Sequence, residues 1–258
     1  MPKFCANLSM LFTELPFLDR FQAAAEAGFK GVEYLFPYDY SQGELTVRLK
    51  DNGLTQVLFN MAGGNRAEGE MGISALPARV AEFREDLARA AEYALALGCK
   101  QVHCMAGTPP PDCAPAKAHE TYVANLRFAA AEFHGHDLRV LIEPINTRDR
   151  PGYFLNRSQQ ALDIIAEVGA PNLRLQYDVY HMQIMEGDLT PTIEKHLASV
   201  AHVQVADNPG RHEPGTGEIN FPFIFSTLDR LGYDGWIGCE YSPLSGTRES
   251  LDWFAPYT

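Results

Sequence analysis

Residues 139–178 read RVLIEPINTRDRPGYFLNRSQQALDIIAEVGAPNLRLQYD, and this stretch decides the fold. Arg139 to Asn146 is a short apolar run ending in polar groups. Gln159 to Val168 repeats apolar residues at helical spacing and stops at Gly169, and Leu173 to Tyr180 is a second apolar run. Strand, helix and strand at this spacing describe one βα unit leading into the next. Moving outward, further strand candidates are Phe4 to Met10, Gly31 to Phe36, Thr55 to Met61 and Gln101 to Ala106, then Ala201 to Asp207 and Trp236 to Tyr241. Helical spacing recurs over Phe17 to Ala27, Val80 to Leu97, Thr121 to Phe133 and Phe221 to Leu231, with Gly28, Gly98 and Gly232 placed as stops.

Eight such units in 258 residues predict a (β/α)8 TIM barrel, which takes about 250 residues. A doubly wound open sheet is the alternative. It would carry a glycine-rich dinucleotide fingerprint after the first strand, where the chain reads LFTELPF, with no glycine. No Gly, Ser or Pro linker divides the chain, so residues 1–258 read as one domain. The longer loops, Ala62 to Pro77 and Asn208 to Glu218, follow the third and seventh strands, where a barrel builds its site.

Hydrophobic residues make up 46% and charged residues 21%, ordinary for a folded chain, and the formal charge of −12 argues against nucleic acid or an anionic membrane as partner. A small-molecule substrate is expected. Five cysteines, scattered and odd in number, form no zinc-ribbon or redox motif and suit a reduced cytoplasmic setting. The N-terminus lacks the continuous apolar run of a signal peptide, and no stretch is long and apolar enough to span a bilayer.

In a barrel the polar residues at the C-terminal ends of strands carry the chemistry. Four late strands end this way: VLIEPIN with Glu143, LQYDVYHM with Asp178 and His181, VQVAD with Gln204 and Asp207, and IGCEY with Glu240. Each of Glu143, Asp178, Gln204 and Glu240 follows apolar residues, where an ionised carboxylate is costly unless compensated. Three acids and an amide gathered at one end make an oxygen-rich cage suited to Mg²⁺ or Mn²⁺. His181 lies on the rim, placed to touch a substrate oxygen, whereas His103 and His202 read as structural histidines. Arg211 is the candidate to hold a substrate carboxylate or else a solvated loop charge. Asp149 either reaches the same cavity or belongs to a turn. The glycine-rich segment Gly63 to Pro77 reads as a lid or as a surface loop, and Trp236, Trp253 and the aromatics from Tyr34 to Tyr40 read as packing.

The blocks ANLSMLF, GVEYLFPYDY, LIEPIN, QYDVYHMQIMEG, HVQVADNPGRHEPGTGEIN and GWIGCEY carry a resemblance along nearly the whole chain. The sequence resembles the hydroxypyruvate isomerase family, with the closely related 2-oxo-tetronate isomerases, in the xylose-isomerase-like barrel superfamily. The resemblance implies that Glu143, Asp178, Gln204 and Glu240 bind a divalent metal. It further implies that Glu143 and Glu240 accept and donate the proton, and that His181 and Arg211 contact substrate. EPIN, YDVYHMQ and ADNP are more similar to the hydroxypyruvate enzymes; ANLSMLFTELPF and EYALAL are more similar to the tetronate enzymes.

The expected reaction is an aldose–ketose type isomerisation of a small hydroxy-keto acid, hydroxypyruvate to tartronate semialdehyde in the first instance. Isomerisation of 2-oxo-tetronate or a ketose 3-epimerase-like activity is the alternative. An enediolate route needs no nicotinamide, flavin or nucleotide cofactor, and no fingerprint for one is present. A hydride shift between carbons is its mechanistic rival. Two remoter readings are a metal-dependent endonuclease, which needs a histidine-rich cluster and a basic groove, and a non-catalytic sugar-acid-binding barrel.

Overall fold

The computed structural model describes residues 2–257. Eight parallel strands close into a barrel in chain order: β1 (Lys3–Asn7), β2 (Gly31–Tyr34), β3 (Thr55–Asn60), β4 (Gln101–His103), β5 (Arg139–Ile142), β6 (Leu173–Asp178), β7 (Val200–Val205) and β8 (Trp236–Cys239). Pairing of β1 with β8, Cys5 beside Gly238, closes the ring. The architecture is the (β/α)8 barrel expected from the alternation of runs. The strands end earlier than the apolar runs, because the chain leaves the ladder to build the βα loops while its side chains stay buried.

Around the ring pack α1 (Arg20–Glu26), α2 (Gln42–Asp51), α3 (Val80–Leu97), α4 (Pro115–His134), α5 (Ser158–Val168), α6 (Val179–Met185), α7 (Leu189–His196) and α8 (Phe221–Arg230). Helix α2 escapes periodicity because only Leu45 and Leu49 are buried on it; what starts it is a capping box between Ser41 and Glu44. Helix α4 begins at Pro115, six residues before the predicted start, because proline suits the first helical turn. Helices α3 and α5 stop at Gly98 and Gly169, both in the left-handed region (φ 64° and 70°).

The main core lies between strands and helices, with Phe21, Phe83, Leu126 and Phe133 among its fully buried residues. A smaller cluster holds Cys5, Val57, Leu58 and Leu141. Trp253 packs among Phe4, Phe225 and Tyr257, which agrees with the packing role expected of it. No helix among the described residues is long and apolar enough to cross a membrane.

Candidate active site

Side chains alternate across a strand, so the residues that precede the site acids by two share their face. Cys5 and Asn7, Gln176 and Asp178, His202 and Gln204, and Gly238 and Glu240 form four such pairs. The register sets Asp178 beside Gln204 and Gln204 beside Gly238, so the upper polar layer is fixed by the ladder itself.

Glu143 leaves the end of β5, and its Oε2 stands 3.6 Å from His103 Nδ1 on β4. Asp178 ends β6 and caps α6: its Oδ1 accepts from the backbone N–H of Tyr180 at 2.7 Å and of His181 at 3.4 Å. The other oxygen, Oδ2, is buried without a hydrogen bond, facing His181 Nε2 at 3.6 Å and Arg211 at 3.8 Å. Glu240 follows β8; its Oε2 accepts from Asn7 Nδ2 at 3.1 Å and Gln204 Nε2 at 2.6 Å, and Arg211 donates to its Oε1. Gln204 turns its amide oxygen the other way, to Gln176 Nε2 at 2.6 Å. A ligand role for that oxygen therefore requires the amide to turn over.

Burial, then the charges of Asp178 and Glu240, pushes the Glu143 carboxyl well above the ordinary range. Burial also raises Asp178, against the pull of Arg211, and raises Glu240 to about 8. Three buried acids with raised affinity for protons and one orphaned carboxylate oxygen are what a hard cation would relieve. Glu143, Asp178 and His181 can bring ligand atoms within 4.8 Å of one another, as can Cys5, Glu33 and His202 one layer below. The oxygen-rich donor set at the strand ends fits a divalent ion.

Arg211 sits in the loop after β7 in a left-handed conformation (φ 58°), uncommon for a residue with a side chain. Its guanidinium ion-pairs with Glu240 and lies 5.2 Å over the Tyr180 ring. Burial would lower its affinity for protons, but Glu240, Asp178 and Glu143 raise it. Of the two readings open for Arg211, the structure places it in the acid cluster. Asp207 does not join them: its carboxylate accepts from the N–H groups of Asn208, Gly215 and Ile219 and ties the loop together.

His181 accepts at Nδ1 from Asn146 Nδ2 at 2.7 Å, which leaves the proton on Nε2, and burial followed by Arg211 keeps the ring neutral. Asp149 belongs to the turn and also borders the cavity, accepting from Asn146 at 3.0 Å and the Tyr180 hydroxyl at 2.8 Å. His103, read as structural, also lines the cavity; its Nδ1 lies 3.2 Å from Asn60 Oδ1, and burial drops its pKa to about 3. The cavity holds about 200 Å³ and is walled by Asn60, His103, Glu143, His181, Arg211 and Glu240. That is below the roughly 300 Å³ at which drug-sized pockets begin, so the occupant is small. From the segment Gly63 to Pro77, Met71 reaches the wall, and the segment is pinned by Gly72 N–H to Gly63 O at 3.0 Å and by Arg79 to Glu70. A wider depression of about 590 Å³ at the opposite end, around Arg139, Arg174 and Tyr233, brings none of these acids together.

Reading outward from strand ends misses Asn7 and Glu33, which lie in early strands; Glu33 in GVEY was the available signal, a carboxylate inside an apolar run.

The family model described as "Xylose isomerase-like TIM barrel" matches residues 21–257. The chain is 53% identical to the 2-oxo-tetronate isomerase of Cupriavidus necator, covering 100% of this chain and 99% of that one. It is 48% identical to the hydroxypyruvate isomerase of Escherichia coli, with 100% of both covered. A crystal structure titled "AP endonuclease, family 2 from Brucella melitensis" superimposes with a TM-score of 0.98 at 49% identity, covering 100% of this chain and 99% of that one. Fold, cage and relatives agree: the chain is an isomerase and belongs to the hydroxypyruvate and 2-oxo-tetronate isomerase family of xylose-isomerase-like TIM barrels.

Proposed function

We propose that the chain is a 2-oxo-tetronate isomerase, moving the ketone of a four-carbon hydroxy-keto acid from C2 to C3, with hydroxypyruvate as the poorer substrate. One observation carries the reaction class: two buried glutamates, Glu143 and Glu240, wall a single small cavity from separate strands. The higher identity to a 2-oxo-tetronate isomerase supports the substrate, in place of the hydroxypyruvate expected first.

The two glutamates differ in environment. Glu240 receives donors from Asn7, Gln204 and Arg211, which favour its carboxylate, whereas Glu143 faces a neutral histidine and is pushed higher. Pairs whose surroundings separate their proton affinities divide the roles of base and acid. Glu240 takes the proton from C3, and Glu143 stands ready to protonate C2; the two adjacent oxygens exchange the remaining proton as the enediol forms and collapses. His181 presents Nε2–H to one of those oxygens. Glu143, Asp178 and Glu240 would hold a divalent cation, with the Gln204 amide beside them donating to Glu240, and the cation would supply positive charge against the negative charge developing on the substrate oxygens. Arg211 draws the proton affinity of Glu240 down against burial, and a bound cation would lower it further.

The substrate is tested by turnover of 2-oxo-tetronate and hydroxypyruvate side by side with Mg²⁺ or Mn²⁺. The tetronate is expected to win in kcat/KM by about tenfold or more, since one extra methylene-sized group is worth roughly 10–200-fold. A reversed order overturns the substrate and leaves the isomerase. In D₂O the proton route places deuterium on the product's new C–H; product formed without label, while that position is shown not to wash out, would establish the hydride shift instead.

A further inference from the structure

We infer that Glu33, which takes no part in the proposed proton transfer, is the positioning residue of the site: through Asn7 and Gln204 it sets where the Glu240 carboxylate stands. The inference rests on the reading that Glu240 is the base.

Glu33 points into the barrel from β2 and is 1% exposed. Its Oε1 accepts from Asn7 Nδ2 at 3.0 Å and Gln204 Nε2 at 2.8 Å; its Oε2 accepts from His202 Nε2 at 2.7 Å and the Cys5 thiol at 3.4 Å. The same two amide nitrogens reach Glu240 Oε2, from Asn7 at 3.1 Å and Gln204 at 2.6 Å. Each NH₂ group has two hydrogens, one for each carboxylate. Neither amide can rotate without losing a buried bond to Glu33, so the donors facing Glu240 are held in place from below.

The fold also makes room for this. Gly238 lies two residues before Glu240 on β8, and a Cβ there would stand 2.4 Å from Glu33 Oε1. A buried charge adds little net stability and is often replaceable by apolar packing. A carboxylate kept here, with four donors around it and a glycine opposite, is explained by what it orients. The rival explanation is a second metal site formed by Cys5, Glu33 and His202, whose ligand atoms can come within 4.8 Å. In this arrangement His202 and the Cys5 thiol act as donors to Glu33, whereas a cation there would need both as acceptors.

The experiment is a double-mutant cycle of Glu33→Ala with Gln204→Ala in the full-length protein; alanine removes the oxygen that accepts from Asn7 and Gln204, which glutamine would keep. Each variant is assayed with whichever of the two acids the wild type turns over faster, and the metal-free protein is titrated with Mn²⁺ by electron paramagnetic resonance. Glu33→Ala is expected to lower kcat about 100-fold, the cost of a misplaced catalytic group, with KM within about threefold and Mn²⁺ affinity weakened. In the Gln204→Ala background the same change is expected to cost less than about threefold, since residues acting through one another are not additive. If Gln204→Ala has no turnover, Asn7→Ala supplies the background; if Glu33→Ala does not fold, Gly238→Ala displaces the same carboxylate and takes its place. Additive losses, or unchanged kcat and Mn²⁺ binding, overturn the inference. A zinc equivalent in the wild type that Cys5→Ser abolishes overturns it in favour of the metal site. If instead Glu240→Gln keeps full turnover, the proposed base fails, which is a separate result from the cycle.

Discussion

Glu240→Gln is expected to fold normally and to lose about three orders of magnitude in kcat, because a positioned acid or base contributes roughly 10²- to 10⁴-fold. The amide keeps the size of the side chain and one acceptor oxygen, enough for Asn7 and Gln204 or for Arg211 but not for both, and it cannot take a proton from carbon. Glu143→Gln is expected to lose a similar factor for the complementary reason, having no proton to return. The two should separate in deuterium exchange. If Glu240 is the base, Glu240→Gln abolishes exchange of the substrate C3 hydrogen with D₂O, whereas Glu143→Gln retains part of it while blocking product. Stability should fall by no more than about 1–3 kcal/mol, the cost of a buried donor left without its acceptor. Thermal denaturation alongside stopped-time assays checks both points, and a kcat within tenfold of wild type for either variant would remove that glutamate from the mechanism.

Removal of divalent cations is the second large effect. Chelated and desalted protein is expected to lose turnover by about 10³ or more, since a cation contributes several kcal/mol of charge stabilisation, and to recover with Mg²⁺ or Mn²⁺. The same stripped protein should become less stable as pH rises. Glu240, raised by burial to about 8 in the folded state, is ordinary when unfolded; the folded form therefore holds a proton that the unfolded form has released, and that stabilisation is lost as pH passes 8. Over the same window the cysteines of the unfolded chain also begin to ionise while the buried thiols do not, a loss of the same sign, so the share of Glu240 is the part of the fall that Glu240→Gln removes. The expected loss is about 1 kcal/mol, a fall in Tm of roughly 2–4 °C. Because ion and proton compete for the same oxygens, added Mn²⁺ should raise Tm more at pH 8.5 than at pH 7. A Tm of the stripped protein that is flat or rising over this window would mean that the acids are already compensated without a cation.

The acids were legible before any coordinates because their signal is local. A carboxylate closing a largely apolar strand, repeated at the ends of several late strands, is costly enough to mark itself at Glu143, Asp178 and Glu240, and the barrel follows from strand and helix periods that neighbouring residues set. Helix α2 was illegible because its formation depends on a cap more than on an apolar stripe. Asp207 and Arg211 share one loop, and sequence could not divide their work: one ties the backbone and the other enters the acid cluster.

What the sequence determined by itself, then, is the barrel and the set of polar groups at its late strand ends, since both rest on contacts along the chain or on the two-residue alternation of a strand. What only the tertiary structure decided is the layer beneath. Glu33 and His202 are 169 residues apart in sequence and 2.7 Å apart in space, and Asn7 meets Glu240 across the seam where β1 pairs with β8. Those distances exist only once the ring closes, because closure, not propensity, chooses which side chains from opposite ends of the chain must share one buried set of hydrogen bonds.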